Sequence, residues 1–259
     1  MIRLVACDMD GTLLNSRKEL PSETGNYIDY FKKNDILFVI ASGRQLASLE
    51  MTFSDKKNDI CFICENGSFI SLEGRHYPES HRNYADYLEA IRILNAYEVS
   101  IIFSNGLKAS IISNYYDQHK QIIDLFYPSH EHVAILDSRE DIVKVGIYDP
   151  TGNLPMSDIL ASFSSRYNIV KSEEHWFDLM FKGVNKGNAI KRIQKIKQIS
   201  FAETMVFGDM MNDYEMMWQG YYSYAMANAI EDIKAVSRFQ AESNDHNGVI
   251  KVLQKFFPL

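Results

Sequence analysis

The chain has 259 residues, of which 46% are hydrophobic and 24% charged, the composition of a folded protein with one enlarged domain or two domains. Its net charge of −7 argues against nucleic acid or an anionic membrane as partner, because both are bound through clustered Lys and Arg. The longest apolar runs, such as residues 36–41, are far shorter than the roughly 20 residues of a membrane helix, and the N-terminus lacks a signal-peptide core. We therefore expect a cytoplasmic protein without a membrane partner.

The three cysteines, Cys7, Cys61 and Cys64, are an odd number without the spacing of a disulfide framework. Cys61 and Cys64 fall on a predicted strand, where residues three apart point to opposite faces. The pattern favours buried free thiols over a metal site.

The first predicted strand, residues 2–7, is mostly apolar and ends at two carboxylates, Asp8 and Asp10. Gly11 and Thr12 then break the strand, so Asp8 lies at its carboxyl end, where ligands bind in open α/β sheets. Two carboxylates this close repel each other unless a cation joins them, and a hard ion such as Mg²⁺ is the simplest solution. The alternative is an Asp-rich turn whose side chains cap backbone N–H groups.

A second strand and helix pair follows. Residues 21–24 open a helix, residues 36–40 form a buried strand, and Ala41, Ser42, Gly43 and Arg44 lead into a helix that ends near Phe53. This arrangement of strand, Ser-Gly break and helix N-terminus is typical of an anion-binding site. The first N–H groups of the helix are unpaired and point toward the space at the carboxyl end of the strand, where an anion could bind. The alternative is that Ser42 only caps the helix.

The next strand, residues 60–64, is followed by a turn at 65–68, a strand at 69–71 and a turn near Gly74. From residue 81 to 183 the alternation of strands, helices and site motifs stops. The elements predicted there are helices at 84–94, 116–126 and 157–163, and strands near 100–103, 108–113, 143–147, 168–171 and 176–181. This pattern indicates a separate α+β domain, and it carries no recognisable motif.

A helix with Ile190, Ile193 and Ile196 on one face begins at Lys186. The positive charge of a Lys is unfavourable near a helix N-terminus, because the helix dipole is positive there. A bound phosphate would compensate by pairing with the Lys side chain. The alternative is an exposed Lys in a loop.

The strand at residues 204–207 runs into Gly208, Asp209, Met210, Met211, Asn212 and Asp213, a second acidic cluster at a strand end. An acidic turn without a ligand is the alternative here. A strand at 221–225, a helix from about residue 231 and a helix at 249–256 complete the chain.

Four segments in this order resemble the four motifs of the haloacid dehalogenase superfamily in its phosphatase form. They are D-x-D-G-T from Asp8, the segment at Ser42, the segment at Lys186, and G-D-x-x-N-D from Gly208. The place of the insertion, between the second and third motifs, resembles the Cof-like branch. The resemblance implies an α/β fold with a Rossmann-like parallel-sheet core, residues 1–80 and 184–259, and an inserted α+β cap domain, residues 81–183.

The resemblance also implies roles for the motif residues. Asp8 is the nucleophile that forms an aspartyl-phosphate, and Asp10 is the general acid and base. The implied phosphate-binding residues are Thr12, Ser42, Gly43, Arg44, Lys186 and Asn212. The implied Mg²⁺ site comprises Asp8, Asp10 through its carbonyl, Asp209 and Asp213.

The resemblance thus predicts a Mg²⁺-dependent phosphatase that acts on a small phosphorylated metabolite, most often a sugar phosphate in this family, as a monomer or weak homodimer. Two alternatives stay open. One is a phosphotransferase or phosphomutase that passes the same phosphoryl group to a hydroxyl, and the other is a non-catalytic sensor of a phosphorylated ligand.

Overall fold

The computed structural model describes residues 1–79, 84–155, 159, 166–173 and 175–259. Tertiary contacts divide the chain into two compact units. The first comprises Met1–Ser42, Phe53–Tyr77 and Asn185–Leu259, and the second comprises Gly43–Thr52 and Pro78–Val184.

The secondary structure is as follows. The strands are β1 (Leu4–Asp8), β2 (Leu37–Ala41), β3 (Cys61–Cys64), β4 (Phe69–Leu72), β5 (Arg75–Pro78), β6 (Ser100–Ser104), β7 (Ala109–Ile112), β8 (His130–His132), β9 (Lys144–Tyr148), β10 (Tyr167–Glu173), β11 (Trp176–Phe181), β12 (Thr204–Gly208), β13 (Tyr222–Ala225) and β14 (Phe239–Gln240). The described α-helices are α1 (Thr24–Lys33), α2 (Leu46–Thr52), α3 (Tyr84–Leu94), α4 (Tyr116–Phe126), α5 (Lys186–Lys197), α6 (Tyr214–Met217), α7 (Glu231–Val236) and α8 (Gly248–Phe256).

The first unit is built on an eight-stranded sheet in the order β14-β13-β12-β1-β2-β3-β4-β5. The strands from β14 to β3 pair in parallel, and β4 is antiparallel to β3. The chain passes from β1 to β2 on one side and returns to β12 on the other, so the topological switch point lies at the carboxyl end of β1. Asp8 is the last residue of that strand. The predicted fold class, α/β with a parallel sheet, is confirmed.

The strands of this sheet form because both of their faces are covered. All five residues of β1 are buried, as expected for a central parallel strand. On one face α1 packs its predicted apolar stripe of Tyr27, Ile28 and Phe31, all buried, and the Phe31 ring lies 5.6 Å from that of Phe38 in β2. This covered sheet fixes the strand ends that carry the acidic residues.

The second unit contains a six-stranded sheet in the order β10-β11-β9-β6-β7-β8, antiparallel except for the parallel pair β7 and β8. The predicted helices at 84–94 and 116–126 and the strand at 176–181 agree with α3, α4 and β11. Of the helix predicted over residues 157–163, all positions except 159 lie outside the described residues. The predicted α+β character of this segment matches the elements that the structure describes.

Some features differ from the sequence-based expectations. Strands β5, β8 and β14 were not predicted, and residues 43–52 group with the second unit. There the Gln45 side chain donates to the Ser129 carbonyl at 3.1 Å and accepts from its N–H at 3.3 Å. The predicted boundaries at 80/81 and 183/184 stay a prediction.

The sequence predicted buried free cysteines and apolar segments too short to span a membrane. All three cysteines are buried and free, which confirms their prediction as thiols. Within the part of the chain that the structure describes, every helix is too short or too polar to cross a membrane.

Candidate active site

Three buried carboxylates meet at the carboxyl ends of β1 and β12. Cys7 is in register with Phe207, so Asp8, the last residue of β1, and Asp209, the first residue after β12, lie at the same edge of the sheet. Asp213, on the turn after β12, joins them, and one carboxylate oxygen from each residue lies within 4.8 Å of the others. Parallel pairing of two strands thus brings together acidic residues that are some 200 positions apart in the sequence.

Lys186, the first residue of α5, lies among these carboxylates and is 0% exposed. Its Nζ donates to Asp8 Oδ1 at 2.5 Å and to Asp213 Oδ1 at 2.7 Å. The Asn185 side chain caps the helix by accepting from the Asn188 N–H, which fixes where α5 begins. Two carboxylates therefore partner Lys186 in this structure, and its predicted contact with phosphate stays a prediction.

Burial and mutual charge interactions shift the pKa values of the residues in this cluster. Burial, followed by the charge of Asp213, raises the pKa of Asp8 well above its ordinary value, although Lys186 opposes the shift. Burial and Asp213 likewise raise the pKa of Asp209 to about 6, against a hydrogen bond from Thr12. Burial alone would lower the pKa of Lys186, but Asp213 and Asp8 outweigh it and raise the pKa above its usual range. One ammonium therefore faces three carboxylates, and the site favours additional positive charge.

This donor set fits a hard divalent cation such as Mg²⁺, because it offers clustered carboxylate oxygens with an excess of negative charge. The three residues are not equivalent. Asp213 Oδ2 accepts from the N–H groups of Asp209 at 2.9 Å and Met210 at 3.2 Å, while its Oδ1 accepts from Lys186. Asp213 thus also shapes the turn after β12, whereas Asp8 and Asp209 are the stronger candidates for direct ligands.

Two glycines allow the close packing around the cluster. Gly11 has φ +82°, and a Cβ there would lie 2.3 Å from Asp209 Oδ2. Gly67 has φ +105°, and a Cβ there would lie 2.3 Å from the carbonyl oxygen of Asn185, just before Lys186. Only glycine combines this backbone conformation with this proximity.

The predicted residues near β1 have different surroundings. Thr12 Oγ1 donates to Asp209 Oδ1 at 2.8 Å, so Thr12 is part of the cluster. The Asp10 side chain instead is 28% exposed and accepts from Lys18 Nζ at 2.8 Å. Its carboxylate is therefore not a member of the three-carboxylate group, and only its backbone carbonyl remains a candidate ligand.

The predicted residues near β2 and β12 meet at Asn66. Ser42 is buried, and its carbonyl accepts from the Asn66 N–H at 3.0 Å. Asn212 donates from its side-chain amide to Asn66 Oδ1 at 3.2 Å. Gly43 and Arg44 group with the second unit, and the Gly43 carbonyl accepts from Lys144 Nζ at 3.2 Å. Their contacts with phosphate stay a prediction.

Asn66 and Lys18 were missed by the sequence analysis. Both have a left-handed backbone, with φ of 55° and 62°. The Glu-Asn-Gly sequence at 65–67 indicated only a turn, although Asn is one of the few residues that adopt this conformation readily. Nothing in the sequence pattern distinguishes Lys18 from other exposed lysines.

Comparison with known proteins identifies the family. A family model described as haloacid dehalogenase-like hydrolase matches residues 5–253, and the chain belongs to this family. It is 32% identical, over 98% of its length and 96% of the relative, to the 5-amino-6-(5-phospho-D-ribitylamino)uracil phosphatase YbjI of Escherichia coli K12. It is 28% identical, over 91% of its length and 88% of the relative, to the HMP-PP phosphatase of Citrobacter koseri.

A solved structure shows the same fold over the whole chain. SMU.1108c from Streptococcus mutans UA159 superimposes with a TM-score of 0.84 at 28% identity, covering 100% of both chains. The predicted family and the predicted enzyme class, a phosphatase, are confirmed.

Proposed function

We propose that the protein is a Mg²⁺-dependent phosphatase that hydrolyses a small phosphorylated metabolite, a sugar or sugar-alcohol phosphate, through an aspartyl-phosphate on Asp8. The observation that carries the proposal is the buried group of Asp8, Asp209 and Asp213 around Lys186. A carboxylate nucleophile divides one difficult displacement into two easier ones.

In the first step an Asp8 oxygen bonds to phosphorus as the bond between phosphorus and the ester oxygen breaks, and Asp10 gives a proton to that oxygen. In the second step Asp10 takes a proton from water, whose oxygen displaces Asp8 from phosphorus and yields inorganic phosphate. Asp10 suits both steps because its side chain is partly exposed and lies outside the buried cluster.

The other residues bind and neutralise charge. Mg²⁺, held by Asp8, the Asp10 carbonyl and Asp209 with Asp213 behind them, would offset repulsion between the nucleophile and the anionic phosphate. Lys186 adds a fixed positive charge beside Asp8. Ser42 and Asn212, joined through Asn66, hold phosphoryl oxygens with Lys186 and Thr12.

The substrate class is supported by a relative. The Escherichia coli phosphatase, by its name, acts on a compound with a phosphate on a ribityl group. The Citrobacter koseri enzyme is named for a different phosphorylated compound, so the family membership alone does not select one substrate.

The test is release of inorganic phosphate from a panel of phosphorylated metabolites with Mg²⁺ and with EDTA. The panel includes pentose and hexose phosphates, 5-amino-6-(5-phospho-D-ribitylamino)uracil and pyridoxal phosphate. We expect one chemical group of substrates to reach a kcat/KM on the order of 10⁴ M⁻¹s⁻¹ or more, with loss of activity in EDTA. Undiminished turnover after chelation would contradict the metal requirement.

The same panel separates the alternatives. Transfer of phosphate to an added sugar hydroxyl without release of inorganic phosphate would indicate a phosphotransferase. Saturable binding without any turnover would indicate a sensor.

A further inference from the structure

We infer that Lys18 is a positioning residue that orients the carboxylate of Asp10 for proton transfer, on a loop that the C-terminal segment holds in place. The inference rests on the proposed role of Asp10 as general acid and base. Its basis is a set of hydrogen bonds around the Asn15–Glu19 loop, all within the first unit.

The first observation is the contact itself. Lys18 Nζ donates to Asp10 Oδ1 at 2.8 Å, and the two side chains are 57% and 28% exposed. One oxygen of the proposed general acid is thereby tied to a fixed direction. Since proton transfer depends on hydrogen-bond geometry, a group that sets this direction affects the rate without touching the substrate.

The second observation is that the Asn15–Glu19 loop is closed on itself. The Asn15 N–H donates to the Glu19 carbonyl at 3.1 Å, and the Lys18 N–H donates to the Asn15 carbonyl at 2.9 Å. The Asn15 side-chain oxygen accepts from the N–H groups of Arg17 at 2.9 Å and Glu19 at 3.0 Å. Such a loop presents Lys18 from a defined backbone position.

The third observation is that the C-terminal segment anchors the stretch of chain that follows Asp10. Asp245 accepts from the N–H and the hydroxyl of Ser16, both at 2.7 Å. The side-chain amide of Asn244 donates to the Leu14 carbonyl at 3.0 Å, and that of Asn228 donates to the Gly11 carbonyl at 2.7 Å. These contacts join residues more than 200 positions apart in the sequence, so tertiary structure holds the loop that carries Lys18.

The fourth observation concerns the backbone of Lys18. Its φ is 62°, a left-handed conformation that is unfavourable for residues with a Cβ other than Asn and Asp. An exposed ion pair contributes too little stability to compensate for such a conformation. A Lys at this position is thus better explained by its effect on Asp10 than by stability, in keeping with the occurrence of backbone outliers at functional sites.

The experiment uses the full-length protein with Mg²⁺ and two aryl phosphates, phenyl phosphate and p-nitrophenyl phosphate. Nitrophenolate leaves without much help from a proton, whereas phenolate needs it, so the ratio of the two kcat/KM values reports proton donation. Lys18→Asn removes the cation but keeps a residue that tolerates a left-handed backbone. Arg17→Asn, in which a neighbouring residue paired with Glu19 is changed, is the matched control.

We expect Lys18→Asn to lower kcat/KM on phenyl phosphate about tenfold, a part of the 10²- to 10⁴-fold effect typical of a general acid. On p-nitrophenyl phosphate the loss should be less than about twofold. Lys18→Arg should recover part of the loss, and Arg17→Asn should change neither value. The melting temperature of Lys18→Asn should not fall.

A second arm tests whether Lys18 acts through Asp10. In an Asp10→Asn background, adding Lys18→Asn should change kcat/KM on phenyl phosphate by less than about twofold, because the group being oriented is gone. Additive losses, or equal losses on both aryl phosphates, would overturn the inference and indicate that Lys18 contacts substrate directly. An equal loss in Arg17→Asn would overturn it in favour of general surface charge.

These outcomes separate the inference from the proposed function. If Asp10→Asn loses activity on phenyl phosphate and Lys18→Asn does not, the role of Lys18 alone is wrong. If Asp10→Asn keeps the wild-type kcat/KM, the acid and base assignment is wrong and the inference falls with it.

Discussion

Asp8 and Asp10 lie two residues apart, yet their side chains have different surroundings. Asp8 is buried with Asp213, Asp209 and Lys186 around it, and burial raises its pKa. Asp10 is partly exposed and pairs with Lys18. A nucleophile needs a cation to remain ionised in such a buried site, whereas an acid and base must exchange its proton with water.

This contrast predicts different results for the two amide variants. Asp8→Asn should abolish turnover, because an amide is a far weaker nucleophile and the Asp10 carboxylate, paired with Lys18, is not a member of the cluster that could replace it. Asp10→Asn should slow hydrolysis of the aspartyl-phosphate about 10²- to 10⁴-fold, so the phosphorylated protein should accumulate. Intact mass after mixing with p-nitrophenyl phosphate would show the added phosphoryl group in Asp10→Asn and not in Asp8→Asn. Activity retained by Asp8→Asn would exclude it as the nucleophile.

At the same scale, the acidic residues could be predicted because each follows an apolar run that ends in a turn signal. The hydrogen-bond partners of Lys186 could not be predicted in this way. Lys186 and Asp8 are 178 positions apart, and their contact depends on where α5 starts relative to the sheet. The hydrogen-bonding role of Asn66 likewise depends on a backbone conformation that its sequence context only suggests.

At the scale of elements, the turn after β1 gives a test that separates backbone strain from site geometry. Gly11 and Gly74 both have positive φ, at +82° and +72°. A Cβ at Gly11 would lie 2.3 Å from Asp209 Oδ2, whereas a Cβ at Gly74 would have nothing within 4 Å. An alanine would therefore adopt a strained backbone at both positions, but only at position 11 would its Cβ also clash with Asp209.

We expect Gly11→Ala and Gly74→Ala each to lower the free energy of unfolding by about 1 kcal/mol or more, from the left-handed conformation. Only Gly11→Ala should also displace Asp209, weaken Mg²⁺ binding and lower kcat. Chemical denaturation and Mg²⁺ titration of both variants would measure these effects. Equal Mg²⁺ affinity in the two variants would show that Gly11 is not needed for the geometry of the site.

The ends of β1 and β12 also predict a pH dependence. In the unfolded chain, Asp8 and Asp209 lose their protons near pH 3.8, the ordinary pKa of Asp. In the folded protein without metal both pKa values are raised, so the two side chains keep their protons to a higher pH. Stability without metal should therefore fall as the pH rises from 3.8 through about 6, the pKa of Asp209. Mg²⁺ binds the deprotonated carboxylates, so its binding should strengthen over the same range.

Thermal unfolding with and without Mg²⁺ checks this expectation. The increase in melting temperature caused by Mg²⁺ should be larger at about pH 7.5 than at about pH 5. Asp209→Asn should show a smaller increase and a weaker pH dependence. An equal increase at both pH values in the wild-type protein would contradict the expected proton release.

The elements that the sequence failed to predict are mostly edge strands. β5 and β14 lie at the two edges of the first sheet, and their residues are largely exposed. Edge strands are formed by hydrogen bonds to one neighbour and need no buried face, so they carry no apolar alternation. The central strands were predicted because both of their faces are covered.

At the scale of the whole molecule, the two units differ in how far the sequence predicts them. The first unit follows from its motifs and apolar strands. The helices and strands of the second unit were predicted from periodicity alone, and the grouping of residues 43–52 with them was not foreseen. That grouping depends on tertiary contacts such as Gln45 with Ser129 and Lys144 with Gly43, which leave no signal in local sequence.

This division predicts separate contributions to catalysis. Asp8, Asp209, Asp213 and Lys186 all belong to the first unit. In the proposed mechanism they bind only the phosphoryl group and the metal, which every substrate shares. We propose that discrimination among leaving groups depends on the second unit. A variant in which a short linker replaces residues 81–183 should therefore bind Mg²⁺ but lose both selectivity across the metabolite panel and much of its kcat. It should also be less stable, because residues 43–52 lose Ser129 and Lys144 as partners.

The measurement is kcat/KM for each panel member in the full-length and shortened proteins, with Mg²⁺-dependent thermal unfolding to show that the shortened protein is folded. The control is p-nitrophenyl phosphate, whose hydrolysis depends least on recognition of the leaving group and should fall less than that of the preferred metabolite. If the shortened protein kept the full-length order of preference, the residues that select the substrate would have to lie in the first unit, close to the carboxylates themselves.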